Sequence, residues 1–317
     1  MTAMSPHSRF AALDLGSLTV RLAVAQRLGP GRFRVLRHRR EVTALAEGLA
    51  ESRALAPAAM DRTYQALAGF VRETETLGVE AVQAVATQAV RQAANREEFL
   101  ARLKDGLGLE VRVLSPEEEA RLTLAGVLTA LDPKFLAGPV AVFDVGGGST
   151  EFALLLPGEE PRFAGLPLGV LTLSQARPLG DPPAPERVAA LKTELTAQFS
   201  NFYRQHLAQY FTAPPRLVGT AGAVTTLAAL ALAMAEYDPQ RVNNLILGAA
   251  QVAALAEKLS RLTDAERARL PGMEAAKAGV MVAGALMVKA IMEAFQQDSL
   301  VVSDAGLLEG VLGELAA

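Results

Sequence analysis

The chain has 317 residues, half of them apolar and 5% aromatic, with no Trp, no Cys and a formal net charge of −3. That length and apolar share suit two domains with sizeable cores. There is no basic excess and no set of stacking platforms for nucleic acid, and without Cys the chain has no disulfide framework, thiolate nucleophile or Cys-based zinc site, in keeping with a reducing compartment.

The opening segment MTAMSPHSRF leads directly into a strand and lacks a basic region followed by a long apolar stretch, so the expectation is a cytoplasmic chain without a signal peptide. Strands are predicted near Phe10–Asp14, Val20–Ala25 and Arg32–Arg40, then a helix over Pro57–Thr76, a strand at Ala84–Thr87, a helix from about Asn95 and a strand at Val111–Leu114. Arg32–Arg40 alternates in part between basic and apolar residues, the pattern of a half-exposed edge strand as much as of an anion site. Ser115, Pro116 and Glu118 form a helix start with a capping box. Leu131–Pro139, with two prolines and a glycine, is the expected connection, which gives lobes over 1–130 and 131–317, with the terminal helix free to pack back on the first lobe.

In the second half, a strand ends at Asp144, GDPPAP (Gly180–Pro185) launches a long helix, and Arg216–Gly219 is a strand followed by a turn and a core helix over Val224–Ala235. Leu217–Ala235 is uncharged and approaches the length of a membrane span, but its two glycines and three threonines read as strand, turn and core helix, so no membrane association is expected. Thr263 and Glu266 repeat the capping-box signal. A small-residue helix over Met273–Ala294, a strand at Ser299–Ser303, a turn at Asp304–Gly306 and a terminal helix complete the reading.

Two segments carry most of the functional signal. FAALDLGSLTVR (Phe10–Arg21) and AVFDVGGGSTEF (Ala141–Phe152) each run from an apolar strand to an Asp, a Gly-containing turn and small hydroxyl residues. Such turns expose backbone N–H groups to phosphate oxygens, and an Asp at each strand end can hold a hard cation. The pair reads as a phosphate and magnesium clamp between two domains. Thr220, Ala221 and Gly222 form a third small-residue turn, a candidate nucleotide or phosphate contact. Glu117 and Glu118 match the dipole of their helix N-terminus, whereas Glu119 points in another direction and is a candidate to orient and deprotonate water. His7, His38 and His206 lie apart from one another and from any Asp or Ser motif, which leaves a Ser/His/Asp hydrolase without support.

Taken in order, DLGS at Asp14, ATQAVRQAANREEF (Ala86–Phe99), LSPEEEARL (Leu114–Leu122), DVGGGSTE (Asp144–Glu151), LPLG at Leu166, VGTAGAVTTLAAL at Val218, YDPQRV at Tyr237 and SDAGLLEG at Ser303 resemble one family over nearly the whole chain. It is the exopolyphosphatase and guanosine pentaphosphate phosphohydrolase (Ppx/GppA) family. The resemblance implies an α/β fold of two ribonuclease-H-like, actin-like lobes with the active site in the cleft between them, in the short form without an additional C-terminal domain. It implies Glu119 as general base, and Gly16, Ser17, Thr19, Gly146, Gly147, Gly148, Ser149 and Thr150 as phosphate turns with Arg91 as a phosphate-holding arginine. It also implies Mg2+ or Mn2+ at Asp14, Asp144 and Glu151, and a homodimer. The expected substrates are inorganic polyphosphate or guanosine penta- and tetraphosphate. Arginines common in the family are replaced at Ala44, at Leu171 or Thr172, at Ala305 and at Leu308, and Asn243–Leu245 replaces a His-containing stretch. These losses motivate one rival, a nucleotide or alarmone sensor that turns nothing over; a second, an actin-like small-molecule kinase, shares the lobes and phosphate turns.

Overall fold

The computed structural model describes residues 7–317, which divide into two compact units. One comprises the chain up to Thr129 together with Gly306–Ala317; the other is Ala130–Ala305. The chain therefore passes from one unit to the other twice, and the terminal helix belongs with the first strands.

In the first unit, β1 (Arg9–Leu15), β2 (Thr19–Gly29) and β3 (Arg32–Val42) form an antiparallel meander. After α1 (Pro57–Thr76) the chain adds β4 (Ala81–Ala86) parallel to β1. Helices α2 (Gln88–Gln92) and α3 (Arg96–Leu107) lead to β5 (Val111–Val113), parallel to β4, and to α4 (Pro116–Ala130). The sheet order is β3-β2-β1-β4-β5. β1 is buried from Phe10 to Leu15, as a central strand covered on both faces must be. On one of those faces Phe10, Ala12, Ala23 and Ala25 meet Leu307, Leu308, Val311 and Leu312 of the C-terminal helix (Leu307–Ala316).

The second unit repeats the plan. β6 (Val140–Val145), β7 (Thr150–Leu155) and β8 (Arg162–Leu166) form the meander, followed by α5 (Val170–Ala176) and α6 (Pro185–Phe202). β9 (Arg216–Thr220) lies parallel to β6 and leads into α7 (Ala221–Ala231). β10 (Ile246–Gly248), α8 (Ala249–Ser260), α9 (Met281–Ala294) and β11 (Ser299–Val302) complete the unit. The order is β10-β11-β9-β6-β7-β8, which is the order of the first sheet with one antiparallel edge strand added. This repeated plan is the expected α/β architecture of two ribonuclease-H-like, actin-like lobes. The core here centres on Phe152, whose ring lies 5.4 Å from that of Phe202 and 5.7 Å from that of Phe295, against the almost wholly buried α9.

Two predicted helices have different starts. The core helix opens at Ala221 and ends at Ala231, three to four residues earlier than its pattern suggests. The Met273–Ala294 segment becomes helical only at Met281, because Gly272 takes φ +93° and a Glu274–Lys277 ion pair of 2.9 Å closes a separate 3-10 turn over Ala275–Lys277. Among the described residues no helix is long and apolar enough to cross a membrane, so Leu217–Ala235 is not a span. The reading of MTAMSP lies outside the described residues.

Candidate active site

The two signature turns are built alike. Gly16 N–H donates to Thr19 O at 3.0 Å, and Gly146 N–H to Ser149 O at 2.9 Å, so each turn is a two-residue hairpin loop closing a β-ladder. A Cβ on Gly16 would lie 2.8 Å from Thr19 O, too close for a larger residue without a backbone shift, and one on Gly146 would lie 3.1 Å from Ser149 O, a contact the loop would have to give way to by a few tenths of an ångström. The first loop is held from outside by Ala46 N–H on Ser17 O and by Thr43 and Ala44 N–H on Leu18 O. The second is held by the start of α5, where Val170 N–H donates to Gly146 O and the N–H groups of Leu171 and Thr172 donate to Gly147 O. In both turns the carbonyl oxygens are occupied by the scaffold, which leaves loop N–H groups to face a ligand.

Gly169 makes the second bracing possible. Its Cα lies so close to Gly147 and Gly148 that a Cβ would fall within 2.4 Å of their backbone. This is the physical requirement behind the last residue of LPLG. Thr172, one of the positions where an arginine was expected, adds to the same bracing through its hydroxyl, at 3.4 Å from Gly148 O.

Asp14 is 2% exposed and stands opposite Arg21 in the β1–β2 register. Arg21 donates to Asp14 Oδ2 through Nε at 2.8 Å and approaches it through Nη2 at 2.6 Å, while Oδ1 is buried with no hydrogen-bond partner. A buried carboxylate oxygen without a partner is costly unless something binds it, so Asp14 suits a cation ligand. In the second unit Asp144 stands opposite Glu151 on one side and Thr220 on the other, which brings three of the predicted residues to one level of the sheet. Among the described residues no three His, Cys, Asp or Glu side chains converge as a ready-made metal cage.

Arg91 and Glu119 meet directly. Arg91 Nη1 donates to Glu119 Oε2 at 3.1 Å and to Leu114 O at 2.6 Å. Leu114 closes the segment after β5, and Glu119 lies in the first turn of α4, so one guanidinium fixes both the entry to the helix and the acid it carries. The helix start is the predicted capping box: Ser115 N–H donates to Glu118 Oε2 at 2.8 Å and Glu118 N–H to Ser115 Oγ at 3.2 Å. Those bonds, led by the one to the Ser115 backbone, hold the Glu118 carboxyl below the usual range. Glu118 is thus committed to the cap and Glu119 to Arg91, a division that the run of three glutamates suggested.

Some predicted residues have structural engagements. Thr150 is fully buried and donates its hydroxyl to Leu168 O at 2.7 Å; Thr220 donates to Ala305 O at 2.9 Å. Ala221 has φ +66° at the start of α7, and Gly222 lies beside the buried Lys277. Leu308 belongs to the core of the first unit, and Ala44 has φ +49° in the bracing of the first turn. Asn243 donates to Ala130 O at 2.8 Å and accepts from Asp304 N–H at 3.1 Å. Sequence reasoning did not single out Arg21 as Asp14's partner, although the signal was present: in a hairpin closed by Gly16 and Thr19, the residue opposite Asp14 has to be residue 21.

Comparison with known proteins identifies the family. The sequence model of the Ppx/GppA phosphatase family matches residues 24–317. The chain is 29% identical to Exopolyphosphatase 2 of Mycobacterium tuberculosis, covering 98% of this chain and 99% of that protein. It is 32% identical to Exopolyphosphatase 1 of Mycobacterium bovis over 96% of this chain and 87% of the relative. The crystal structure of the Aquifex aeolicus Ppx/GppA family member is 34% identical, covers 97% of both chains and superposes with a TM-score of 0.78. On a match that spans nearly its whole length, the chain belongs to the Ppx/GppA phosphatase family.

Proposed function

We propose that the protein is a magnesium-dependent phosphohydrolase that removes the terminal phosphate from inorganic polyphosphate or from a guanosine pentaphosphate. The observation that carries this reading is the Arg91 bridge, which holds Glu119 in one orientation at the start of α4. A water that donates a hydrogen bond to the Glu119 carboxylate would attack the terminal phosphorus. Its proton passes to Glu119 as the new P–O bond forms, and the bridging P–O bond breaks with its electron pair leaving on the shortened chain. In each unit the loop N–H groups of the signature turn would bind phosphate oxygens, and in the first unit Arg91 would add positive charge. Asp14, Asp144 and Glu151 are the acids assigned to the cation, which supplies charge neutralisation of the phosphates when bound. Two of the relatives are named exopolyphosphatases, which favours polyphosphate over the nucleotide.

The test is phosphate release with Mg2+ from long polyphosphate, tripolyphosphate, guanosine pentaphosphate and ATP, run beside Glu119→Gln. The variant should lose at least about a hundredfold in kcat, the usual contribution of a general base, with binding retained. An unchanged rate in folded Glu119→Gln removes the residue from the role. Tight binding with no release by the wild type would identify a sensor, and ATP consumption that requires an acceptor would identify a kinase.

A further inference from the structure

β3 is the outer strand of its sheet, bonded to β2 alone. Plain alternation would place Arg32 and Arg34 on one face and Arg37 and Arg39 on the other. A bulge changes this. The register steps from Val24 opposite Arg37 to Ala25 opposite Val35, so Leu36 is the extra residue and the strand changes phase there. Phe33, Val35 and His38 consequently share the face of the C-terminal helix: the first two border its core, and His38 Nε2 lies 3.7 Å from Glu309. Arg32, Arg34, Arg37 and Arg39 are gathered on the opposite face, and all four are exposed.

The row spans roughly 20 Å at the usual rise of a strand. Four arginines share it with two carboxylates, Glu73 of α1, which pairs with Arg37 and Arg39, and Glu41. The strand then runs to Val42, opposite Thr19, and the next two N–H groups bond to Leu18 O, so the row leads toward the Gly16–Thr19 phosphate turn. Arg39 is three residues, about 10 Å, from that end. No aromatic side chain lies on this face of β3 to stack a base.

We propose that this arginine row is a docking surface for linear polyphosphate, holding a stretch of chain beyond the phosphate that reacts. The proposal rests on the polyphosphate reading above. A polyanion with a charge on every residue matches a row of guanidinium groups along one strand face, each bond to phosphate being charge-assisted. Short substrates cannot reach it, so the row confers a preference for long chains.

The double variant Arg32→Ser/Arg34→Ser tests this, since neither residue takes part in an ion pair with an acid in the row. With long polyphosphate, kcat/KM should fall about fivefold, the combined loss of two exposed charge contacts. With tripolyphosphate it should not change. In parallel, anisotropy of fluorescently labelled long polyphosphate should show weaker binding, with the slope of log Kd against log salt reduced by roughly two. Equal loss on long and short substrates, or no loss on either, overturns the proposal. So does displacement of the labelled chain by a single-stranded oligonucleotide as readily as by unlabelled polyphosphate. If the wild type releases no phosphate from any substrate, the hydrolase reading fails, and the anisotropy comparison alone still decides whether the row binds polyphosphate.

Discussion

Arg91 and Glu309 show how much one side chain can hold. Because a single guanidinium nitrogen of Arg91 serves both Leu114 O and Glu119, removing it frees the acid and loosens the helix entry at the same time. Arg91→Met should lower kcat by roughly a hundredfold, the cost of misplacing a reacting group by about an ångström. Arg91→Lys should restore only part of it, since a lysine offers a point charge and not a planar fork. Equal rates for the two variants, measured at saturating substrate, would show that charge alone matters.

Glu309 lies under the first turn of the C-terminal helix, where its Oε2 accepts from Gly306 N–H at 2.7 Å. Burial pushes its carboxyl above the usual range, against the opposing pull of His38, the helix N–H groups and Arg21. The folded state therefore holds this proton more tightly than the unfolded chain does. Its contribution to stability is fully present below about pH 4.3, the ordinary value for Glu, and is lost as pH rises through the raised pKa. Glu309→Gln keeps an acceptor for Gly306 and removes the ionisation. Its Tm should exceed that of the wild type at pH 8 and converge with it near pH 4; a difference independent of pH would refute the linkage.

At the level of elements, α4 and the C-terminal helix meet backbone to backbone. A Cβ on Gly310 would lie 1.9 Å from Leu122 O, and one on Gly126 would lie 1.8 Å from Gly306 O. Gly310→Ala should cost about 3 kcal/mol in urea unfolding, the upper end of overpacking, and should lower activity as well because α4 carries Glu119. Full stability in that variant would mean that the helices can separate at little cost.

The elements also show what was legible in the sequence. The two signature turns, both capping boxes and α1 could be read from residue spacing alone, because the chemistry that makes each of them is local. β8 and β10 could not: β8 lacks alternation and contains Gly165, and β10 has three residues held in place by β11. α8 carries Val252, Ala256 and Leu259 at helical spacing and is legible in principle, although its alanine-rich sequence sets it only weakly apart from its surroundings. The bulge at Leu36 had no signal in the sequence, since it follows from the need to place Phe33, Val35 and His38 on one face. Pairings such as Asp14 with Arg21 became readable only with the hairpin register. The assignment of Arg91 to Glu119 needed the fold, because 28 residues separate them.

For the whole molecule, the chain crosses between its units at Thr129–Ala130 and again at Ala305–Gly306. The first unit is thus discontinuous in sequence, and the strands that begin it are completed by the helix that comes last. On a ribosome this imposes an order of events. Phe10, Ala12, Ala23 and Ala25 are synthesised early, yet Leu307, Leu308, Val311 and Leu312, which cover them, follow only after all of residues 130–305. At ordinary elongation rates that interval is on the order of ten to thirty seconds. Throughout it the unit that carries Glu119 has an uncovered apolar sheet face, and the second unit, whose β11 lies between β9 and β10, is itself complete only at its end. Until the last helix arrives that face has no cover, and transiently exposed apolar surface of this kind is what makes a nascent chain depend on chaperones.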